Sequence, residues 1–329
     1  MSEKNLLEIH KLSSAFLYGG KAVPVIFDVS FNIKYGEVLG VVGESGSGKS
    51  VTAKSVMRLL PPRSSTILNG EITLDGEKIL EKTEKQMQSI RGNKVSMIFQ
   101  EPMTSLNPVF TCGNQILEAI TMHQHVTNEE ARTRAIEMLD MVGITMPAAR
   151  LKAYPHELSG GMRQRVMIAM ALCCNPKLLI ADEPTTALDP TIQAQIMLLL
   201  KQMRDKLGMG IMYITHDLSV VAQMCDRVVV MYAGMIQEIA EVHTLFHTPM
   251  HPYTLGLMQA MPTMGSNSRR LYTIPGRVPH ITQMPTGCHF SPRCPYATEQ
   301  CNEACPTLEK VGEEHYVRCF NYSKMERKC

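Results

Sequence analysis

The chain has no strong excess of charge, no long apolar run and no apolar signal-peptide core in its first residues. Among its 329 residues, 33 Lys and Arg stand against 31 Asp and Glu, which gives a net charge of +2. This near-neutral balance does not predict a protein that binds nucleic acid by neutralising phosphates. No apolar run reaches the roughly 18 residues that a membrane helix needs. Residues 1–12 lack the apolar core of a signal peptide, so we expect the chain in a reducing cytosol, where structural disulfides are rare.

Cysteines are nevertheless crowded towards the end of the chain. Of ten in total, the following fall within one short stretch: Cys288, Cys294, Cys301, Cys305 and Cys319. Because disulfides are not expected, this crowding favours a thiolate metal site. Zinc prefers cysteine pairs about two to four residues apart, and most of these gaps are longer. Iron–sulfur clusters tolerate longer gaps and often have Cys-Pro pairs nearby, as at residues 294–295 and 305–306, but zinc and free thiols remain alternatives.

A glycine-rich loop follows a short apolar segment near residue 40. Residues 38–42 (VLGVV) predict a buried parallel strand, residues 43–50 read GESGSGKS, and a helix is expected over residues 51–60, ahead of two prolines. Glycines let backbone N–H groups turn towards an anion, and the helix N-terminus adds its positive end. The pattern predicts a nucleotide site in which Lys49 reaches the β- and γ-phosphates and Ser50 binds Mg²⁺. The other loop residues expected to contact phosphate are Gly43, Ser45, Gly46 and Gly48.

Two further predicted strands end in polar residues that suit the same chemistry. Residues 177–183 (KLLIADE) predict an apolar strand that ends in two acids: Asp182, placed to hold Mg²⁺, and Glu183, placed to polarise a water that attacks the γ-phosphate. Adjacent strand residues point to opposite sides, so the two acids can have different roles. Residues 210–215 predict another strand, and His216 follows it at the ligand edge of a parallel sheet, where it can hydrogen-bond a γ-phosphate.

A second helix start with small residues lies further along the chain. Ser159, Gly160 and Gly161 precede a helix expected over residues 162–174, so free N–H donors are available to an anion. Taken alone, this pattern is that of a helix N-cap with Ser159 as the cap. Two phosphate-binding helix starts in one chain raise the question of which phosphate the second one binds.

Together these motifs resemble the ATPase subunits of ABC transporters. Residues 158–165 (LSGGMRQR) are similar to the family's signature sequence, although Met162 stands where many members have Gln. Gln100, after a strand predicted over residues 95–99, resembles the Q-loop glutamine. Residues 183–189 (EPTTALD) resemble the end of the Walker B strand and the D-loop.

The resemblance implies that two such domains pair head to tail and that each signature closes over the other's ATP. His216 then matches the switch histidine, and the adenine is expected to stack on Phe16, with Tyr18 as the alternative.

ATP and Mg²⁺ are the implied cofactors. The residues expected at the metal are Ser50, Gln100 and Asp182. The residues expected to be catalytic are Glu183, His216, Lys49 and Gln100. Those expected to contact nucleotide, besides the glycine-rich loop, are Phe16, Gln100, Asp182, Ser159, Gly160, Gly161 and Asp189.

The implied fold is α/β, a P-loop NTPase with a RecA-like core, an antiparallel β subdomain, an inserted helical subdomain and a small Cys-rich C-terminal extension. The expected boundaries are 1–100 and 165–246 for the core, 101–164 for the helical subdomain and 247–329 for the extension. Turns are expected at residues 68–70 and 75–77. Thr127 and Glu130 predict a capping box at a helix start.

The extension resembles that of oligopeptide/dipeptide transporter ATPases. The similar segments are residues 251–254 (HPYT), 274–276 (IPG) and 288–297 (CHFSPRCPYA). Dipeptide transporter ATPases can carry a [4Fe–4S] cluster there. By position, the residues that match its ligands are Cys288, Cys294, Cys301 and Cys319, with Cys305 as an alternative to Cys301. We expect such a cluster to fasten a tail too short to bury a core, although a redox role is an alternative.

The resemblance implies an ATP-hydrolysing motor subunit of an importer, peripheral at the cytoplasmic face of the membrane. Residues 100–108 (QEPMTSLNP) are similar to the peptide and nickel importer branch, where this region contacts the membrane partner. Peptides are the expected cargo and nickel is the alternative. The expected partners are a homologous second ATPase subunit, two permeases and, indirectly, an external peptide-binding protein. A soluble ABC ATPase acting on nucleic acid through a zinc module, and a purely regulatory subunit, are the other hypotheses.

Overall fold

A computed structural model describes residues 4–99, 105–185, 188–261 and 272–324. In these ranges the chain forms two compact units. No helix within the described ranges is both long enough and apolar enough for a membrane crossing.

The elements are numbered in chain order. The strands are β1 (Asn5–Tyr18), β2 (Lys21–Lys34), β3 (Val38–Val42), β4 (Ser65–Leu74), β5 (Glu77–Lys78), β6 (Val95–Ile98), β7 (Leu178–Asp182), β8 (Gly210–Thr215), β9 (Arg227–Tyr232), β10 (Met235–Glu241), β11 (Glu309–Gly312) and β12 (His315–Val317). The helices are α1 (Lys49–Val56), α2 (Glu84–Ile90), α3 (Cys112–His123), α4 (Asn128–Met141), α5 (Pro147–Arg150), α6 (Gly160–Leu172), α7 (Pro190–Leu207), α8 (Leu218–Met224), α9 (Val242–His247), α10 (Pro252–Gln259) and α11 (Glu299–Glu303). Short 3₁₀ turns lie at Pro155–Glu157, Ser291–Arg293 and Tyr322–Lys324.

The first unit comprises Met1–Leu6, Ile33–Glu37 and Glu81–Tyr213. Its strands follow the order β8, β7, β6, and β6 pairs with β7 in parallel. Every residue of β6, β7 and β8 is buried, which explains why these segments read as continuous apolar runs. Strands that are buried on both faces need other elements packed against each face, and this unit contains helices α2 to α7.

Caps fix where the helices of this unit begin. The predicted capping box is present: Thr127 Oγ1 accepts from the Glu130 N–H, and the Glu130 carboxylate accepts from the Thr127 N–H at 2.8 Å. Helix α6 begins at Gly160 rather than residue 162, since Ser159 caps it, and it ends at Leu172. These caps satisfy N–H groups that lack a partner within the helix.

The second unit comprises Leu7–Asn32, Val38–Leu80 and Ile214–Cys329. A four-stranded sheet has the order β2-β1-β4-β5, and β4 is antiparallel to both β1 and β5. A second group of strands has the order β11-β12-β10-β9-β3, in which β3 and β9 are parallel and the other pairs are antiparallel. Strands β3 and β9 are buried throughout, and they position the glycine-rich loop that follows β3.

Two local predictions differ from the structure. Helix α1 ends at Val56, before the prolines, because Arg58 adopts a left-handed φ of 49°. The turn expected at residues 68–70 is wrong, since β4 continues through it, whereas the turn at Asp75 and Gly76 is present. Gly70 instead allows close strand packing, because a Cβ there would lie 2.5 Å from Leu12 Cα, next to a register shift between β1 and β4.

Replacing Leu200 by Ala should lower the free energy of unfolding by about 2–5 kcal/mol, because this α7 side chain is fully buried and its loss leaves a cavity. Leu198→Ala on the same helix is the control: its side chain is 59% exposed, and the expected change is within about 0.5 kcal/mol. Urea unfolding followed by circular dichroism measures both. Equal effects of the two substitutions would contradict the burial assigned to α7.

Candidate nucleotide site and cysteine cluster

The glycine-rich loop between β3 and α1 depends on glycine at two points. A Cβ at Gly43 would lie 2.1 Å from the Met231 carbonyl oxygen, so no larger residue fits there. Gly48 caps α1 with a left-handed φ of 98°, and a Cβ there would lie 2.7 Å from Ile26. Ser45 and Gly46, by contrast, are exposed. The strand therefore delivers the chain into a tight loop whose outer residues face solvent at a helix N-terminus, where anions are favoured.

Lys49 lies within this loop rather than extending into solvent. Its side chain is buried, and its Nζ donates to the carbonyl oxygens of Gly43 at 2.7 Å and Glu44 at 3.0 Å. The Ser47 N–H also donates to the Glu44 carbonyl, at 3.1 Å. Half-buried Ser50 follows in the first turn of α1. An ammonium group and a hydroxyl are thus held at the loop, as phosphate and Mg²⁺ recognition requires.

The second unit also holds the predicted histidine and aromatic residue. His216 is exposed directly after β8, and Asp217 caps α8 by accepting from the Ser219 N–H at 2.8 Å. Phe16 is half-buried on β1, opposite Ser65 of β4. Tyr18, the alternative for adenine stacking, is 75% exposed.

The two adjacent acids lie in the first unit and differ in environment. Asp182 ends β7 and is buried. Glu183 is half-buried with a left-handed φ of 47°, a conformation that is uncommon for residues other than glycine and that clusters at functional sites. Pro184, which follows Glu183, is held in place because its carbonyl accepts a hydrogen bond from the Gln164 side-chain amide. The two adjacent carboxyl groups therefore differ in their exposure to solvent.

The signature residues form an exposed helix start in the same unit. Ser159 Oγ accepts from the Met162 N–H, and Ser159 and Gly160 are exposed. Open space surrounds Gly160, whereas a Cβ at Gly161 would lie 3.2 Å from Ile192. The start of α6 is therefore both capped by Ser159 and accessible to a ligand.

Asp189 has a structural role in the first unit: its Oδ1 accepts from the Ile192 N–H at 3.0 Å and caps α7. Gln100 lies outside the described residues, so its predicted place at the metal stays a prediction.

Four of the crowded cysteines surround one cavity in the second unit. Its lining includes Cys288, Cys294, Cys301 and Cys319. Cys305 does not line it, and its Sγ lies 3.7 Å from Met235 Sδ. In the described ranges, no group of three or more His, Cys, Asp or Glu side chains is arranged to hold a single metal ion.

Hydrogen-bond donors of the chain reach the four sulfurs. Backbone N–H groups two residues further along serve three of them, Cys288, Cys294 and Cys319. The Asn321 side-chain amide lies 3.6 Å from Cys301 Sγ. Burial nevertheless raises the pKa of the thiols of Cys288, Cys294 and Cys319 to about 11. Thiolates here need a compensating positive charge, which a metal group can supply.

A contact between the loop and the C-terminal segment was not predicted. The Tyr253 hydroxyl accepts from the Glu44 N–H at 2.9 Å, and Arg293 donates to both carboxylate oxygens of Glu44, at 2.8 and 3.2 Å. Tyr253 belongs to the HPYT segment, residues 251–254, and Arg293 belongs to the Cys-rich segment, residues 288–297. Both segments were visible as motifs, but no residue pattern linked them to Glu44.

Comparison with known proteins assigns the chain to a family. A family model described as ABC transporter matches residues 26–186, and one described as oligopeptide/dipeptide transporter, C-terminal region, matches residues 237–301. A probable peptide ABC transporter ATP-binding protein of Sinorhizobium fredii is 50% identical, over 97% of this chain and 96% of its own length. The oligopeptide transport ATP-binding protein AppD of Bacillus subtilis is 49% identical, over 97% of each chain. This chain belongs to the ABC transporter ATP-binding proteins.

Solved structures agree with this assignment. A dimeric ATP-binding cassette in a post-hydrolysis state, bound to ADP and Pi, is 28% identical with a TM-score of 0.64, and the match covers 72% of this chain and 98% of that chain. CbiO1 of Clostridium perfringens, part of an ABC transporter complex, gives 28% identity and a TM-score of 0.64 over 74% and 91% of the two chains. The predicted α/β fold of an ABC ATPase cassette is confirmed.

Replacing Gly43 by Ala should abolish measurable ATP binding, because the new methyl group would displace the loop from the Met231 carbonyl. Equilibrium binding of ATP with Mg²⁺ measures the effect. Gly36→Ala is the control: φ there is 72° but nothing lies within 4 Å, so about 1 kcal/mol of stability is lost while ATP still binds. Normal ATP binding by the Gly43 variant would show that the loop tolerates a side chain.

Proposed function

We propose that this chain is the ATP-hydrolysing motor subunit of an importer for di- and oligopeptides. The observation that carries the proposal is that one chain holds both a glycine-rich loop around Lys49 and an exposed, serine-capped helix start at Ser159. Paired head to tail, two such domains would each complete the ATP site of the other. The similarity to peptide ABC transporter ATP-binding proteins extends over nearly the whole chain, which supports peptides as cargo.

Such a subunit hydrolyses ATP and lies peripherally at the cytoplasmic face of the membrane. Its coupling partners are membrane permease subunits. We propose further that its mate is a homologous but different ATPase subunit, and that an external binding protein delivers the peptide. The subdomain boundaries proposed are those given for the core, the helical insertion and the extension.

In the proposed mechanism, catalysis consists of positioning and of stabilising negative charge. Lys49 and the loop N–H groups bind the β- and γ-phosphates. Ser50, Asp182 and Gln100 would hold Mg²⁺, since oxygen atoms are the ligands that suit this hard cation, and the ion would supply positive charge beside the phosphates. These groups neutralise the charge that spreads over the γ-phosphate as its bond to ADP breaks.

The attacking water is handled by residues at the ends of two strands. Glu183 accepts its proton, and His216 hydrogen-bonds the γ-phosphate. The signature residues Ser159, Gly160 and Gly161, with Asp189, act on the ATP of the mate, so hydrolysis requires the closed pair. The adenine stacks on Phe16.

We also propose that Cys288, Cys294, Cys301 and Cys319 hold a [4Fe–4S] cluster. Their shared cavity and the donors to their sulfurs support it, since hydrogen bonds to cysteine sulfur are typical of iron–sulfur sites. A cluster is wider than one ion, so its ligands need not converge as closely as those of zinc. Bound there, it would supply cross-links between segments 288–301 and 319, a structural function.

Replacing Glu183 by Gln should lower ATP hydrolysis by about a hundredfold or more, because the amide cannot accept the water's proton. Binding is kept, so a nucleotide-bound dimer should accumulate with ATP and appear in size-exclusion chromatography. Asp205→Asn, an acid 65% exposed in the same unit, is the control and should leave turnover unchanged. Undiminished hydrolysis in the Glu183 variant would point to a regulatory subunit instead.

Replacing Cys301 by Ser should remove iron and acid-labile sulfide from anaerobically purified protein, whereas Cys305→Ser should keep about four of each per chain. The reason is that only the first of these two thiols lines the cavity. Metal analysis and the absorption spectrum report the outcome. Zinc in place of iron, or equal loss in both variants, would refute this ligand set.

A further inference from the structure

Glu44, inside the glycine-rich loop, is the point where the C-terminal segment reaches the nucleotide site. Its N–H donates to the Tyr253 hydroxyl, and its carboxylate receives two hydrogen bonds from Arg293. Its carbonyl accepts from Lys49 Nζ and from the Ser47 N–H. One residue is thus bound on one side by the C-terminal segment and on the other by the phosphate-binding lysine.

Arg293 is held rigidly enough to act as a support. Its guanidinium is buried, donates to the carbonyls of Pro275 at 2.8 Å and Ile274 at 3.2 Å, and lies 5.6 Å from the centre of the Tyr232 ring. The guanidinium group is planar and rigid. Because the two carbonyl groups fix one side of it, its remaining N–H groups point in one direction, towards Glu44. The Glu44 side chain is 29% exposed, so solvent weakens this pair without removing it.

Tyr253 is fixed just as firmly. It is fully buried, with its ring 4.7 Å from Tyr232 and 5.4 Å from Phe290. Its N–H donates to His251 Nδ1 at 3.0 Å, and the His251 N–H donates to the buried carboxylate of Glu238 at 3.0 Å. Burial lowers the pKa of His251 to about 3, so the ring is neutral and Nδ1 can accept this hydrogen bond. The hydroxyl is therefore placed by a packed aromatic cluster.

We propose that Tyr253 and Arg293 are positioning residues for ATP binding. They orient the Glu44 peptide, and its carbonyl holds the Lys49 ammonium where the phosphates bind. The mechanism is preorganisation: a loop that is already ordered loses less conformational entropy when it binds its ligand. Without these contacts the loop still forms, but it binds ATP less tightly.

The test uses the full-length chain and equilibrium binding of ATP with Mg²⁺. Arg293→Ala should raise the Kd about tenfold, the effect of a charge-assisted pair that is partly solvated, and Arg293→Lys should restore part of the loss. Tyr253→Phe, which removes one oxygen and keeps the ring, should raise the Kd about fivefold. In the assembled transporter, KM for ATP should rise while kcat changes little, because Glu183 and His216 are untouched.

A double variant that combines Arg293→Ala with Glu44→Ala tests whether Arg293 acts through Glu44. If it does, adding Arg293→Ala to the Glu44→Ala variant should change the Kd by less than about twofold. Arg318→Ala is the matched control: this arginine is equally buried and donates to the carbonyls of Ile236 and Pro306. It should lower the melting temperature without changing the Kd.

The proposal is overturned if Tyr253→Phe and Arg293→Lys bind ATP like the wild type, or if Arg293→Ala and Arg318→Ala weaken binding equally. Should Arg293→Ala fail to fold, Tyr253→Phe decides, since it deletes only a hydroxyl. The inference rests on the proposed ATPase function, and the two fail differently. A wild-type chain that does not bind ATP refutes the function, whereas equal binding by wild type and variants refutes only the positioning role.

Discussion

The Lys49 ammonium group, held by the carbonyls of Gly43 and Glu44, is the interaction on which the site depends. A buried cation is costly unless polar atoms surround it, and here the loop backbone supplies them. The loop can do so only because β3 is buried throughout and is followed by Gly43, which fits beneath the Met231 carbonyl. Burial of an apolar strand and the placement of a charge are therefore parts of one arrangement.

The same arrangement explains how much of the fold was accessible from sequence. Strands β3 and β8 have the predicted limits, because continuous apolar runs end abruptly at polar or glycine residues. The capping box at Thr127 was predicted because its hydrogen bonds join residues three apart. The turn at residues 68–70 was wrong, since Gly70 serves a close approach between strands that local sequence cannot reveal.

Some features of the candidate site could likewise be predicted from local sequence, whereas others depend on contacts between distant residues. The loop, the acids at the end of β7 and the serine-capped helix were predicted because each is a contiguous motif tied to one element. Glu44 was passed over, because its partners Tyr253 and Arg293 lie 209 and 249 residues away. Spacing alone also left Cys305 as an alternative to Cys301, and the fold shows that Cys301 is the one of the two that lines the cavity.

The bond between Tyr253 and the Glu44 N–H also bears on how this protein can be divided. A cassette shortened to end near residue 246 would keep each motif shared with other ATPases, yet it would lose an acceptor for a backbone amide and the partner of a carboxylate. Its nucleotide affinity would then describe the truncated piece rather than the native subunit. In this chain, the stretch that carries the shared motifs is therefore shorter than the stretch whose contacts hold the glycine-rich loop.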